Sequence, residues 1–285
     1  MMVDDIEVEI VCPLYESYKI VDRFLSGIRS QKKIKIKKIN FVITDCGDQI
    51  EDKLNAPDIS WKKINKSEFN HAKTREEALF NVESNIAVMC TDDIVLKDEY
   101  AVYKLIKPII EKKCVYAFGR QICTNNTIEK YTRKLNYPSY DYVVEKKDIE
   151  KMQIKAFFCS DSFAAYDVGK FKEINGYDGV LLPTNEDMYY AKKILYLGYK
   201  MMYVSNACVE HSHDFTLKEI YRRYFLVGRF FKENPDFKNY KSMDSGFRLA
   251  YNIFFEIIKR FDVKNLFIFL PNMIARYLGK RKGEK

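Results

Sequence analysis

The segment Thr91-Asp92-Asp93 follows an apolar run, Ile86-Ala87-Val88-Met89-Cys90, that reads as a buried strand. Two adjacent carboxylates at the mouth of such a strand repel each other where water is scarce, and a divalent cation relieves that repulsion. A hard cation with open coordination positions can in turn hold a diphosphate. The segment therefore points to chemistry on a nucleotide-activated substrate. Two of the three histidines form His211-Ser212-His213, and in an extended segment side chains two apart point the same way. A second acid pair, Glu186-Asp187, follows Asn185, where it fits the first turn of a helix that Asn185 caps.

These residues need elements to hold them. Strand-like apolar runs cover 7–12, 39–44, 61–64, 86–90 and 114–118, and amphipathic helical patterns cover 20–28, 74–82 and 100–112. The alternation predicts a doubly wound α/β sheet with crossover helices, whose ligands collect at the carboxyl ends of the strands. Tyr15, Asp45, His71 and Asp93 each fall just after a predicted strand or in the loop following one. The stretch 124–148 is polar and reads as a long excursion with a turn at Tyr137-Pro138. Residues 155–166, with Phe157-Phe158-Cys159, read as a further strand, and 200–204 as a short one. From Leu217 onward the pattern is helical, and 247–261 and 266–278 are amphipathic.

With 285 residues, 47% of them hydrophobic, the chain can bury one large domain and carry an appendage. None of the 7 cysteines forms a CxxC pair, so they read as reduced core residues rather than a disulfide frame or zinc site. The N-terminus is acidic and lacks a signal-peptide apolar region, so a cytoplasmic location is expected. Residues 215–285 hold 16 Lys/Arg against 7 Asp/Glu, a net of +9, whereas the rest of the chain nets −1. Such asymmetry suits contact with an anionic surface. Two units are expected: 1–214 as the catalytic domain, and 215–285 as a basic helical extension. That extension lies on a membrane surface, packs on the catalytic domain or forms a homodimer. The longest clean apolar run there, 266–270, is far below the roughly 20 residues a bilayer span needs. Helices with apolar and basic sides do suit the membrane interface, which is the preferred reading. Nucleic acid is not expected as a partner, because the aromatics keep helical spacing and no recognition module appears.

The ordered set Val11-Cys12-Pro13-Leu14-Tyr15, Thr44-Asp45-Cys46-Gly47-Asp48, Asn70-His71-Ala72-Lys73-Thr74-Arg75, Thr91-Asp92-Asp93 and Asn185-Glu186-Asp187 resembles the inverting family 2 glycosyltransferases. These have the GT-A fold, a Rossmann-like doubly wound mixed sheet. Phe69-Asn70-His71 with Thr74-Arg75, Gly119-Arg120-Gln121 and Phe157-Phe158-Cys159-Ser160-Asp161 bring the resemblance closest to bacterial rhamnosyltransferases of surface-polysaccharide biosynthesis. His211-Ser212-His213 with Arg222-Arg223-Tyr224-Phe225 adds to it, and the likeness covers about residues 6–235.

The resemblance implies an enzyme whose donor is a nucleotide-sugar, dTDP-rhamnose being favoured over a UDP- or GDP-sugar. It implies a lipid-linked or polysaccharide acceptor at the inner face of the plasma membrane. Pro13 and Tyr15 would lie beside the nucleoside and Asp45 on the base, although an Asx turn with Gly47 reads nearly as well there. Arg75 would contact phosphate or ribose, Asp92 would stand near the ribose or behind the metal site, Arg120 and Gln121 would touch donor or acceptor, and Arg222, Arg223 and Arg229 would reach diphosphate groups of a lipid-linked acceptor. Asp93 would bind Mg²⁺ or Mn²⁺. Thr91 stands where a first aspartate of the metal motif often sits, so the partner to look for is His211 or His213. Asp187 would be the catalytic base of a single displacement, with Glu186 placing the acceptor. A nucleotidyltransferase is set aside because an early Gly-rich phosphate loop is missing. A non-catalytic membrane scaffold remains the other alternative.

Overall fold

The computed structural model describes residues 6–44, 49–241 and 243–285. Its eight strands are β1 (Glu7–Tyr15), β2 (Lys35–Thr44), β3 (Ile59–Lys63), β4 (Ile86–Cys90), β5 (Tyr116–Ile122), β6 (Tyr142–Val144), β7 (Phe163–Asp167) and β8 (Met201–Glu210). The helices of the first half are α1 (Val21–Arg29), α2 (Ile50–Lys53), α3 (His71–Phe80), α4 (Ala101–Ile110) and α5 (Ile128–Asn136). The second half adds α6 (Ile149–Met152), α7 (Val168–Glu173), α8 (Glu186–Tyr196), α9 (Leu217–Glu233), α10 (Met243–Lys259) and α11 (Val263–Gly283).

One mixed sheet runs in the order β3-β2-β1-β4-β7-β5-β8-β6. β3, β2, β1 and β4 are parallel, β7 runs antiparallel between β4 and β5, β8 is parallel to β5, and β6 closes the edge antiparallel to β8. All five residues of β4 are buried because helices cover both faces, which is why that strand reads as an unbroken apolar run. On one face Phe24, Ile28, Leu105 and Ile106 pack on the sheet. On the other, Leu79, Phe171, Tyr190 and Phe157 do. Pro13 lies two residues beyond the last β1–β4 pair, Val11↔Met89, where its missing N–H costs no ladder bond.

Three local expectations change. The polar 124–148 stretch contains α5 and the edge strand β6. α5 is legible in retrospect, because Ile128 and Tyr131 share its buried face. Residues 155–166 are not one strand. A 3₁₀ turn, Gln153–Phe157, precedes β7, and it swings Phe157 inward to Phe237 and Tyr240, 5.6 and 4.8 Å between ring centroids. Asn185 precedes α8 with φ 62° and no side-chain cap; its amide faces Met188 Sδ instead, at 3.8 Å.

The C-terminal helices join the body through α9 on the sheet face and through Ile253 and Ile257 of α10, which pack on Ile128 and Tyr131 of α5. Phe230 and Phe231 of α9 belong to the same apolar core as the sheet face. α11 lies against α9 so closely that a Cβ on Gly283 would stand 2.1 Å from the Phe225 carbonyl oxygen. No described helix is long and apolar enough to cross a membrane. The described cysteines, Cys12, Cys90, Cys114, Cys123, Cys159 and Cys208, are unbridged.

Candidate active site

Asp93 and the two histidines come from distant segments that one short bridge brings together. Beyond β4 the chain turns, and Val95 exchanges two backbone hydrogen bonds with Glu210 at the end of β8, N–H to oxygen 2.8 and 3.0 Å. That bridge holds the Asp92-Asp93 turn against the start of the His211-Ser212-His213 segment. His211 Nε2 lies 3.3 Å from Asp93 Oδ1, and His213 Nε2 lies 3.5 Å from Asp93 Oδ2. The two imidazole Nε2 atoms are 2.7 Å apart. Ser212 points the other way, accepting a hydrogen bond from the Thr124 N–H at 2.9 Å, as alternation along an extended segment requires.

The tautomer of His211 follows from its neighbour. Gln121 donates through Nε2 to Ser160 Oγ at 2.7 Å, which turns its Oε1 toward His211 Nδ1 at 2.9 Å. An amide oxygen only accepts, so His211 carries its proton on Nδ1 and presents a bare Nε2 lone pair. Buried Asp93 Oδ1 makes no hydrogen bond. Lone pairs of a carboxylate and two imidazoles thus converge within 4.8 Å of one another. That donor set fits a divalent cation of the imidazole-binding kind.

Electrostatics agree with this. Burial lowers the pKa of His211, and burial together with the charge of His211 lowers that of His213 to about 4, so both are neutral ligands near neutral pH. For Asp93, burial opposes ionisation, but the hydrogen bond and charge of protonated His211 outweigh it and hold the carboxyl well below its usual range. Asp92 faces away to accept from Ser17 Oγ. Its burial raises its pKa to about 6 against that hydrogen bond, with the charge of Asp93 adding to the rise.

A second carboxyl stands in the adjoining pocket, which has an accessible volume of about 250 Å³ and is lined by His71, Arg75, Ser160, Asp187 and Arg223 among others. Asp187 Oδ1 accepts from the Met188 N–H at 2.7 Å and Oδ2 from the Asp161 N–H at 3.4 Å. Burial, and then the negative charge of Asp161, raise its pKa to about 7. Asp161 itself is a structural anchor. Tyr116 and Tyr166 donate to its Oδ1 at 2.9 and 2.5 Å, and Tyr177 donates to its Oδ2 at 3.1 Å. The loop from Gly176 to Asn185 is shaped by Glu76, which accepts from the Tyr177 and Gly179 N–H groups at 2.5 and 3.2 Å. Gly176 within it has φ 45°, and a Cβ there would stand 2.8 Å from the Phe171 ring and Glu76. Ser160 and Gln121 tie the two halves of the site, running from the loop of Asp161 and Asp187 to His211.

Of the residues singled out from sequence, Asp93, His211 and His213 form one cluster, and Asp187, Glu186 and Arg75 gather at the pocket beside it. Glu186, 2% exposed, is bound to Arg75. The Arg75 guanidinium is therefore engaged with a carboxylate instead of standing free for phosphate, and it neutralises a buried charge. Tyr15 closes β1 with its ring exposed and its hydroxyl accepting from Lys66 at 2.7 Å. Asp45 lies outside the described residues. Arg120 is not brought to the cluster. It follows Gly119 on β5 and lines, with Gln121, Tyr131, Arg133 and Tyr137, a cavity beside the cluster. Gln121 is the member of that pair whose side chain reaches the histidines, as period-two alternation allows to only one of them. Arg223, one of the arginines expected at a diphosphate, lines the Asp187 pocket; its guanidinium lies 4.5 Å from the Phe215 ring centroid, and that ring stacks on His213 at 4.5 Å.

No protein-family model matches the chain. It is 31% identical over 296 residues to the O-antigen chain rhamnosyltransferase RfbN of Salmonella typhimurium, covering 98% of this chain and 90% of the relative. It is 32% identical over 232 residues to the O-antigen chain rhamnosyltransferase WbaN of Salmonella anatum, covering 78% and 71%. Among solved structures, the mannosyltransferase PcManGT from Pyrobaculum calidifontis, in complex with GDP-Man and Mn²⁺, superposes with a TM-score of 0.54 at 14% identity over 97% of this chain and 72% of that one. S. aureus TarS 1-349 does so with 0.54 at 13% identity over 97% and 80%. These structures share the GT-A fold.

Proposed function

The chain is a glycosyltransferase of the family that includes the O-antigen chain rhamnosyltransferases RfbN and WbaN, and we propose that it moves L-rhamnose from dTDP-rhamnose to a hydroxyl of a surface-polysaccharide acceptor with inversion. The observation that carries this reading is the joining of two sites. Asp93, His211 and His213 offer a metal-binding triad at the carboxyl end of β4, and Ser160 and Gln121 connect it to the pocket that holds Asp187.

In this reading Asp187 takes the proton of the acceptor hydroxyl as that oxygen attacks the anomeric carbon opposite the departing diphosphate. A carboxyl with a pKa of about 7 is well matched to that task, since a base is most effective with a pKa near the working pH. Arg75 pairs with Glu186 and fixes it at the first turn of α8, so that Asp187 is held in one orientation. Arg223, on the same pocket wall, supplies positive charge toward the diphosphate. A divalent cation held by Asp93, His211 and His213 would offset the charge developing on the departing diphosphate. Two imidazoles in the set favour Mn²⁺ over Mg²⁺, which prefers oxygen ligands and water. Pro13, Tyr15, Asp45 and Asp92 are assigned to the nucleoside end of the donor. The acceptor is proposed to be lipid-linked and presented at the cytoplasmic face of the membrane.

The test is release of dTDP from dTDP-rhamnose with Mn²⁺, in wild type and in the variants Asp187→Asn and Asp93→Ala. Loss of release in both supports the assignment, whereas unchanged release in both refutes it. Faster turnover of a UDP- or GDP-sugar redirects the donor and leaves the site assignment standing.

A further inference from the structure

α11 is amphipathic in the inverted sense. Its buried side carries Asn265, Asn272 and Arg276, and its outward side carries Phe267, Leu270, Ile274 and Tyr277, which are 78, 63, 47 and 55% exposed. Arg276 anchors this inner face. Arg276 donates to Asn272 Oδ1 at 2.7 Å, to the Tyr224 hydroxyl at 2.9 Å and to Glu129 Oε1 at 2.7 Å, so this face cannot turn outward without breaking an ordered network. α10 repeats the arrangement. Ile253 and Ile257 are fully buried with Ile128 and Tyr131 of α5, while Phe247, Tyr251, Phe255 and Ile258 face out. Phe261, between the two helices, is 89% exposed. An apolar surface of this extent on a soluble face needs a partner.

The charges beside it decide which partner. Lys151, Lys155, Lys241 and Arg248 line a cavity of about 450 Å³, with Glu150 the one acidic lining residue among the described residues. Arg248 also borders the apolar hollow lined by Phe247, Tyr251, Phe254 and Phe269. None of these four cations, nor Lys259, Lys264, Arg281 and Lys282, enters an ion pair among the described residues. A second copy would set this cationic margin against another, whereas an anionic bilayer complements both the charge and the apolar stripe. Because no described helix can span a bilayer, the helices would lie in its plane.

We propose that the outward faces of α10 and α11 dock on an anionic phospholipid surface, with the Lys151–Lys155–Lys241–Arg248 cavity receiving a lipid phosphate. The proposal does not depend on the sugar transferred. Its test is flotation of the full chain with phosphatidylcholine vesicles and with vesicles containing about one third phosphatidylglycerol. The wild type is expected to float only with the anionic vesicles. The double variants Phe267→Glu/Leu270→Glu and Lys155→Glu/Arg248→Glu should each reduce the bound fraction about tenfold or more, with unchanged melting temperature. Wild type remaining in the bottom fraction with anionic vesicles would overturn the proposal, as would equal flotation of the folded variants. A dimer that Phe267→Glu/Leu270→Glu dissolves, without flotation of wild type, would make the face a protein interface and end the lipid assignment. Transfer to a water-soluble acceptor should persist in both variants, so failure of docking is separable from failure of the transfer reading.

Discussion

Replacing Asp187 by Asn should cost activity and return stability, and the pH dependence of that exchange is calculable. Moving a carboxyl from 3.8 to about 7 corresponds to about 4 kcal/mol against its ionised form. Asp187 is half-buried, so solvent screening leaves about half of that. Asparagine also gives up the long hydrogen bond from the Asp161 N–H, worth about 0.5 kcal/mol. The sign follows from linkage. Below about pH 4 the carboxyl is protonated in both folded and unfolded chains, and nothing is lost. Between about pH 4 and 7 the unfolded chain ionises while the folded one resists, so wild-type stability falls as pH rises, and above about 7 the deficit is constant. At about pH 8 the variant should therefore be more stable by about 1–2 kcal/mol, a rise in melting temperature of about 2–6 °C. At about pH 5 the gap should be much smaller. Transfer should fall by about 10²–10⁴, and in wild type kcat/KM should rise with pH through about 7. The assay is thermal unfolding from acid to alkaline pH beside initial rates of dTDP release. Parallel unfolding profiles for the two proteins, or a variant turning over within about tenfold of wild type, would refute the reasoning.

Arg75→Met leaves Glu186 buried without its counter-ion and should destabilise by about 3 kcal/mol, measured by urea unfolding. Glu186→Gln should cost less, because it removes the charge instead of stranding it. Asp161→Ala strands the Tyr116 hydroxyl and leaves Tyr166 and Tyr177 only each other, and should cost about 3 kcal/mol by the same measurement, with the loop before Asp187 more readily cut by protease. Mn²⁺ should raise the melting temperature of wild type and leave His213→Ala and Asp93→Ala unmoved. Gln121→Leu, which frees the His211 tautomer, should weaken Mn²⁺ affinity by about 10–100-fold by calorimetric titration.

β4, the strand before the site, was legible because it is buried on both faces and carries an uninterrupted apolar run. The Asp93–His211–His213 grouping could be anticipated from residue type and spacing together with a family resemblance, since imidazoles two apart on an extended segment share a side. What joins them was not legible. The Val95–Glu210 bridge is made of backbone atoms and leaves no residue signature. Gln121 could not be ranked above Arg120 by charge, which favours the arginine. Only the direction of β5 relative to β8 decides between them, and an irregularity between Gly119 and Arg120 in that pairing hides it from a count of residues. Phe157-Phe158-Cys159 has strand-like composition, yet it lies outside any strand: Phe157 ends a 3₁₀ turn and packs on Phe237 and Tyr240, 80 residues and more away in sequence. The inversion of α11 escaped for a similar reason. Its amphipathic pattern shows two faces, but which one turns inward is set by α9 and by Glu129.

The central claim is a metal-assisted transfer for which Asp93, His211 and His213 hold the cation and Asp187 takes the proton. The most direct measurement follows the anomeric configuration of the product and the release of dTDP from dTDP-rhamnose in one reaction, with Mn²⁺ and with a chelator, for wild type, Asp93→Ala and Asp187→Asn. The account predicts an inverted anomer, release that stops on chelation, and loss in both variants. Release that continues under chelation, or a product of retained configuration, would contradict it.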